Sequence, residues 1–114
     1  VVVQPGSRIE RSLIGVRSRI GRNVILKDCV LIGADRYETD EERSANLAKG
    51  IPCLTVGDNT VIERAILDKD CRVGRGVRIR NEKNVQEEET ANYVIREGVV
   101  VIPRGAVVPD GAVI

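Results

Sequence analysis

A large aliphatic residue recurs every six residues, at some steps five, along almost the whole chain, and a small residue usually stands two places before the next one. The clearest units are Val3-Gln-Pro-Gly-Ser7-Arg, Ile14-Gly-Val-Arg-Ser18-Arg, Val56-Gly-Asp-Asn-Thr60-Val, Ile102-Pro-Arg-Gly-Ala106-Val and Val108-Pro-Asp-Gly-Ala112-Val. A hexapeptide rhythm of this kind specifies an all-β parallel β-helix. One unit makes a strand and a corner, three units make a triangular coil, and the large residues stack inside the prism.

Assigning the large residues in order gives three stacks. The first holds Val3, Ile20, Val56, Val73 and Ile102; the second Ile9, Leu26, Ile62, Ile79 and Val108; the third Ile14, Leu31, Leu67, Ile95 and Ile114. Each stack has five members, which predicts close to five coils. Ile9-Glu-Arg-Ser-Leu-Ile14 and Ile62-Glu-Arg-Ala-Ile-Leu67 are near duplicates that share the five-residue step, so they belong at equivalent places two coils apart. The whole of 1–114 reads as a single β-helix domain of a longer protein, because the chain is already in the repeat at its first residue.

Two segments break the rhythm, at 33–55 and at 80–93. In the first, Thr39-Asp-Glu-Glu42 has the pattern of a capping box and Gly50 that of a C-terminal stop, which predicts a short helix near 40–49. Insertions in a solenoid are where function collects, since the coils themselves are scaffold.

Composition narrows the chemistry. The chain has no Phe, Trp, Met or His among its 114 residues. A narrow prism filled by stacked aliphatics needs no aromatic filler. Without histidine, the commonest general base and metal ligand is gone. A net charge of +1 argues against a nucleic-acid partner, and no apolar run is long enough to span a membrane. Cys29, Cys53 and Cys71 lack the paired spacing of a disulfide framework or a zinc site, and Cys29 and Cys71 fall at the small position of the repeat as buried apolar groups. Asp58, Asp68 and Asp110 sit in corners and serve turn chemistry. No residue stands out as catalytic, and no metal site is expected in this chain.

Two surface features remain. The residues just before the third-stack positions are Leu13, Val30, Ile66, Val94 and Val113, all apolar where the alternation of a strand points them outward. An apolar stripe down one edge implies a covering domain or subunit. Basic residues bunch at Lys69, Arg72, Arg75, Arg78 and Arg80, with Arg104 beyond them. Lys69 and Arg104 each stand two places after a stack residue, and with Arg72 they are candidates for an anion site. Ordinary solvated charge is the alternative.

Several motifs together resemble the C-terminal domain of glucose-1-phosphate adenylyltransferase, also called ADP-glucose pyrophosphorylase. They are Gly33-Ala-Asp-Arg-Tyr-Glu-Thr39, Ile62-Glu-Arg-Ala-Ile-Leu-Asp-Lys69 followed by Val73-Gly, Asn84-Val-Gln-Glu87, Tyr93-Val-Ile-Arg-Glu-Gly98 with Val99-Val-Val-Ile102, and Val108-Pro-Asp-Gly-Ala-Val-Ile114. The resemblance implies a left-handed β-helix, against the usual crossover hand. It implies a parent enzyme that makes ADP-glucose and pyrophosphate from ATP and glucose 1-phosphate with Mg²⁺, for glycogen or starch synthesis, in the cytoplasm or, in a plant, the plastid. This chain would be the regulatory and oligomerisation domain, with no catalytic residues or cofactor of its own. Its partners would be the N-terminal catalytic domain, other subunits of a homo- or heterotetramer, and a phosphorylated metabolite effector. Lys69 matches an activator-binding lysine of the family, and Arg104 stands where a second one precedes the final hexapeptide. The rival readings are a free-standing hexapeptide scaffold that binds no effector, and the β-helix domain of another sugar-nucleotide transferase.

Overall fold

The structure, a computed structural model, describes residues 1–114. Coil one consists of β1 (Val2–Val3), β2 (Arg8–Glu10) and β3 (Leu13–Ile14), and coil two of β4 (Arg19–Ile20), β5 (Ile25–Lys27) and β6 (Val30–Leu31). Helix α1 (Asp40–Ala48) interrupts before coil three, which is β7 (Thr55–Val56), β8 (Val61–Glu63) and β9 (Ala65–Leu67). Coil four begins with β10 (Arg72–Val73) and β11 (Arg78–Ile79). The second insertion contributes β12 (Glu87–Glu89) and β13 (Val94–Arg96) before β14 (Val99–Ile102) completes the coil, and β15 (Val107–Val108) opens coil five.

Successive coils stack in parallel register into three sheets. The first runs β1-β4-β7-β10-β15 and the second β2-β5-β8-β11. The third runs β3-β6-β9-β14 and then continues through β13 to β12. Ile20, Leu26, Leu31, Ile62, Leu67, Val73, Ile79 and Ile102 are at most 2% exposed and form the axial core. Each such aliphatic side chain contributes on the order of 1.5–3 kcal/mol by leaving water.

Past the second insertion the strands correct the expected register by one face. Ile102 pairs with Leu67 and so belongs to the third stack, and Val108 pairs with Val73 in the first. Val113 bridges Arg78, which carries Ile114 to the second stack. Ile95 is not a coil strand: β13 runs antiparallel to β14, and the insertion therefore extends beyond residue 93. The prism has four complete coils and two faces of a fifth. The cause is a two-residue hairpin loop, Glu97 (φ 50) and Gly98 (φ 80), whose paired positive φ values match the twist of the strands it joins.

The corners explain the small residues and the cysteines. Ser7 Oγ donates to the Gly21 carbonyl at 2.7 Å and accepts the Val24 N–H at 3.1 Å, so one hydroxyl links two coils. Thr60 does the same between Gly74 O and Val77 N. Cys29 and Cys71 are buried and free, their thiols pointing at the Ile62 and Ile102 carbonyls of strands in the next coil. The five-residue step of the second corner turns on Arg11, Asp28 and Arg64, all at positive φ near 50°.

Helix α1 forms where the capping box places it. Thr39 Oγ1 accepts the Glu42 N–H, and the Glu42 carboxylate accepts the Thr39 N–H. The Arg36 guanidinium, joined by that N–H, holds Glu42 down at about 2. Gly50 at φ +76 follows the last turn. At the base of the second insertion, Asn81 donates to Val85 O and Gly98 O and accepts from Val85 N. This buried amide ties both ends of the excursion together.

Candidate functional site

Three coils meet at the corner between the third and first faces. Lys69 and Arg104 each follow by two places the paired core residues Leu67 and Ile102, so the register stacks them one coil apart. The Gly105 N–H donates to the Lys69 carbonyl at 3.0 Å and fixes that spacing. Gly33, at φ +107, turns the chain out of coil two at the same corner. A Cβ on Gly33 would meet the Val16 carbonyl oxygen at 2.2 Å, so only glycine fits.

Two residues later lies Asp35, whose own N–H donates to Asp70 Oδ1 at 2.9 Å. Its carboxylate sits between the two cations. Lys69 Nζ is 2.5 Å from Oδ1 and Arg104 Nη2 is 3.4 Å from Oδ2. The Lys69 ammonium holds the Asp35 carboxyl below the usual carboxylate range. The side chains of Lys69, Arg104 and Asp35 are 37%, 66% and 50% exposed, so these pairs are solvated and exchangeable. Beside them opens a depression of about 320 Å³ bounded by Asp35, Arg36, Leu54, Asp70, Arg72 and Gly105. An ammonium and a guanidinium bridged by one solvent-exposed carboxylate can accept a phosphate or carboxylate in its place.

Arg72, the third residue expected at this site, faces another task. Its Nη1 lies 3.0 Å from Glu38 Oε2 and 3.0 Å from the Pro52 carbonyl. The Glu38 side chain is only 2% exposed. Burial pushes its carboxyl up, but the Leu54 N–H, Arg72 and Asn46 outweigh that and hold it below the usual range. Arg72 therefore clamps the first insertion onto the first face and is not free to bind an anion. Sequence reasoning missed both carboxylates. Asp35 lies within the Gly33–Thr39 motif, and nothing in the pattern distinguishes Glu38 from its solvated acidic neighbours.

The apolar edge is assembled in register from Leu13, Val30 and Ile66. It continues through Val101, which pairs with both Ile66 and Val94. Val113 lies instead on the second face beside Arg78, and Val101 holds the place expected for a coil-four member. Leu13 is 70% exposed and Ile66 37%. The column ends at Glu89, opposite Val94.

No three Cys, Asp or Glu side chains converge in a way that would hold a metal ion.

The family model described as the GLGC left-handed parallel beta-helix domain matches residues 2–113. The match spans both insertions and all three sheets, and it fixes the hand of the prism as left.

Proposed function

Since the chain belongs to the left-handed β-helix domain family of glucose-1-phosphate adenylyltransferases, we propose that it is the regulatory and oligomerisation domain of such an enzyme, with an effector site at the Lys69–Arg104 corner. The observation that carries this reading is the Asp35 carboxylate held between Lys69 and Arg104, an internal anion where an effector phosphate would sit. The domain binds and positions, and supplies no reacting group. ATP, Mg²⁺ and glucose 1-phosphate belong in this proposal to an N-terminal catalytic domain, and the product serves glycogen or starch synthesis.

The effector is a phosphorylated metabolite or inorganic phosphate. It binds by exchanging with Asp35, so occupancy of the corner frees the segment after Gly33 that Asp35 tethers. That segment leads directly to Glu38 and α1, which gives the effector a mechanical path into the first insertion.

Titration of inorganic phosphate and of phosphorylated three- and six-carbon metabolites tests this, using wild type, Lys69→Ala and Arg104→Ala. Salt-sensitive binding weakened in both variants is the expected result. Equal binding by all three proteins would refute the site. The column Leu13, Val30, Ile66 and Val101 is the proposed contact with the catalytic domain or a neighbouring subunit. Leu13→Lys with Ile66→Lys in the full-length enzyme should lower the tetramer fraction in sedimentation or loosen the interdomain contact, and an unchanged assembly with unchanged stability would remove that role.

A further inference from the structure

We propose a second anion site, distinct from the Lys69–Arg104 corner: the groove between α1 and the corner after the first face binds a small organic phosphate. The groove has a volume of about 320 Å³ and is lined by Arg19, Arg22, Arg43 and Arg75, with Asp58 as its one acidic residue. Leu47 and Leu54 form an apolar wall on the side of the first insertion.

Two of these four guanidiniums are unpaired. Neither Arg19 nor Arg22 takes part in any ion pair. Arg75 has only a distant partner, Asp110 at 3.9 Å. Arg43 is anchored by Asp40 and the Glu38 carbonyl, which fixes it as part of the roof.

The repeat explains why the two aspartates do not neutralise the arginines. Arg22, Asp58, Arg75 and Asp110 each stand two places after a first-stack residue, and so form one vertical column. Asp58 Oδ1 accepts the backbone N–H of Arg22 at 2.8 Å, and Asp110 Oδ1 accepts that of Arg75 at 2.8 Å. These carboxylates are used to join coils, and the guanidiniums are left facing the groove. Arg19 enters from the first face itself, where its strand points it outward beneath α1.

Four guanidiniums around a concave site can grip a phosphate by paired N–H donors, which lysines could not do as well. The adjoining leucines favour a ligand with an apolar or ring-shaped body over the bare ion. The two anion sites lie on different corners of the prism, so substitutions separate them.

The test is calorimetric titration of the full chain with phenyl phosphate and with inorganic phosphate. Wild type and the Lys69→Ala/Arg104→Ala variant should bind phenyl phosphate alike. The Arg19→Gln/Arg22→Gln variant should bind at least tenfold more weakly, and it should fold normally because neither side chain has a partner to lose. Phenyl phosphate should bind more tightly than inorganic phosphate, with the difference reduced in Leu47→Ser. Absence of binding by wild type, or binding untouched by the Arg19/Arg22 change, would overturn the site. Loss in the Lys69/Arg104 variant alone would assign all anion binding to the other corner. Equal affinity for the two probes would overturn the organic ligand.

Discussion

Arg72 reaches from the first face of coil four to Glu38 in the first insertion, Nη1 to Oε2 at 3.0 Å, and this contact fastens α1 to the prism. Glu38 is nearly inaccessible, so removing its cation leaves a buried carboxylate with only Asn46 and the Leu54 N–H. Arg72→Ala should destabilise the fold by about 3 kcal/mol, the low end for losing one partner of a buried pair. Hydrogen exchange should show the α1 amides losing protection before the core strands. The Glu38 carboxyl is depressed from its ordinary 4.5, so its contribution is present above that pH and is lost as pH falls through the lower folded value. Urea melts at falling pH should therefore show a smaller acid loss in Glu38→Gln than in wild type.

Asp35→Asn tests the internal-anion relationship at the other end of the same segment. Removing the carboxylate frees Lys69 and Arg104, so phosphate should bind several-fold more tightly at low ionic strength. Because the Lys69 ammonium keeps Asp35 ionised below the usual range, the difference from wild type should persist at pH 5. Weaker phosphate binding by Asp35→Asn would mean that Asp35 helps build the site instead of occupying it.

The first three coils were legible because the repeat is unbroken at each core position and the near duplicate at Ile9 and Ile62 sets the register. The helix was legible because a capping box is a local signal. What failed was the step after Ile79. Val94-Ile95 and Val99-Val-Val-Ile102 both offer aliphatics at plausible spacing, and a six-residue count accepts the first. The deciding signal was Glu97-Gly98, a two-residue turn at positive φ that folds β13 back on β14. Glutamate in place of the usual Asn or Asp hides it. The site was half legible: the repeat stacks Lys69 and Arg104, but Asp35 and Glu38 are placed by an insertion whose path no periodicity encodes.

The thiols give a direct probe of the coil interior. Burial pushes Cys71 up to about 12 and raises Cys29 and Cys53, and Cys53, within the first insertion, is the only one of the three that is half-buried. With Ellman's reagent at pH 8, Cys53 should react first and slowly, and Cys29 and Cys71 only as the chain unfolds. Titration of all three in the native protein on one fast timescale would contradict the packing of the corners.

Gly57 and Gly76 separate two reasons for glycine in the same corner. A Cβ on Gly57 would lie 2.6 Å from the Gly74 carbonyl oxygen, a backbone atom of the next coil, so Gly57→Ala must spread two coils apart. It should cost about 3 kcal/mol, the upper part of the range for overpacking. Gly76 faces open space but sits at φ +63, so Gly76→Ala should cost only the left-handed strain of about 1 kcal/mol. Asn23 and Asn59 hold the equivalent place on coils two and three at φ 55 and 59, so Gly76→Asn should be close to neutral. Thermal melts of the three variants should rank Gly76→Asn above Gly76→Ala above Gly57→Ala, and a Gly57→Ala protein as stable as wild type would show that the coils can part more easily than their ladder of hydrogen bonds implies.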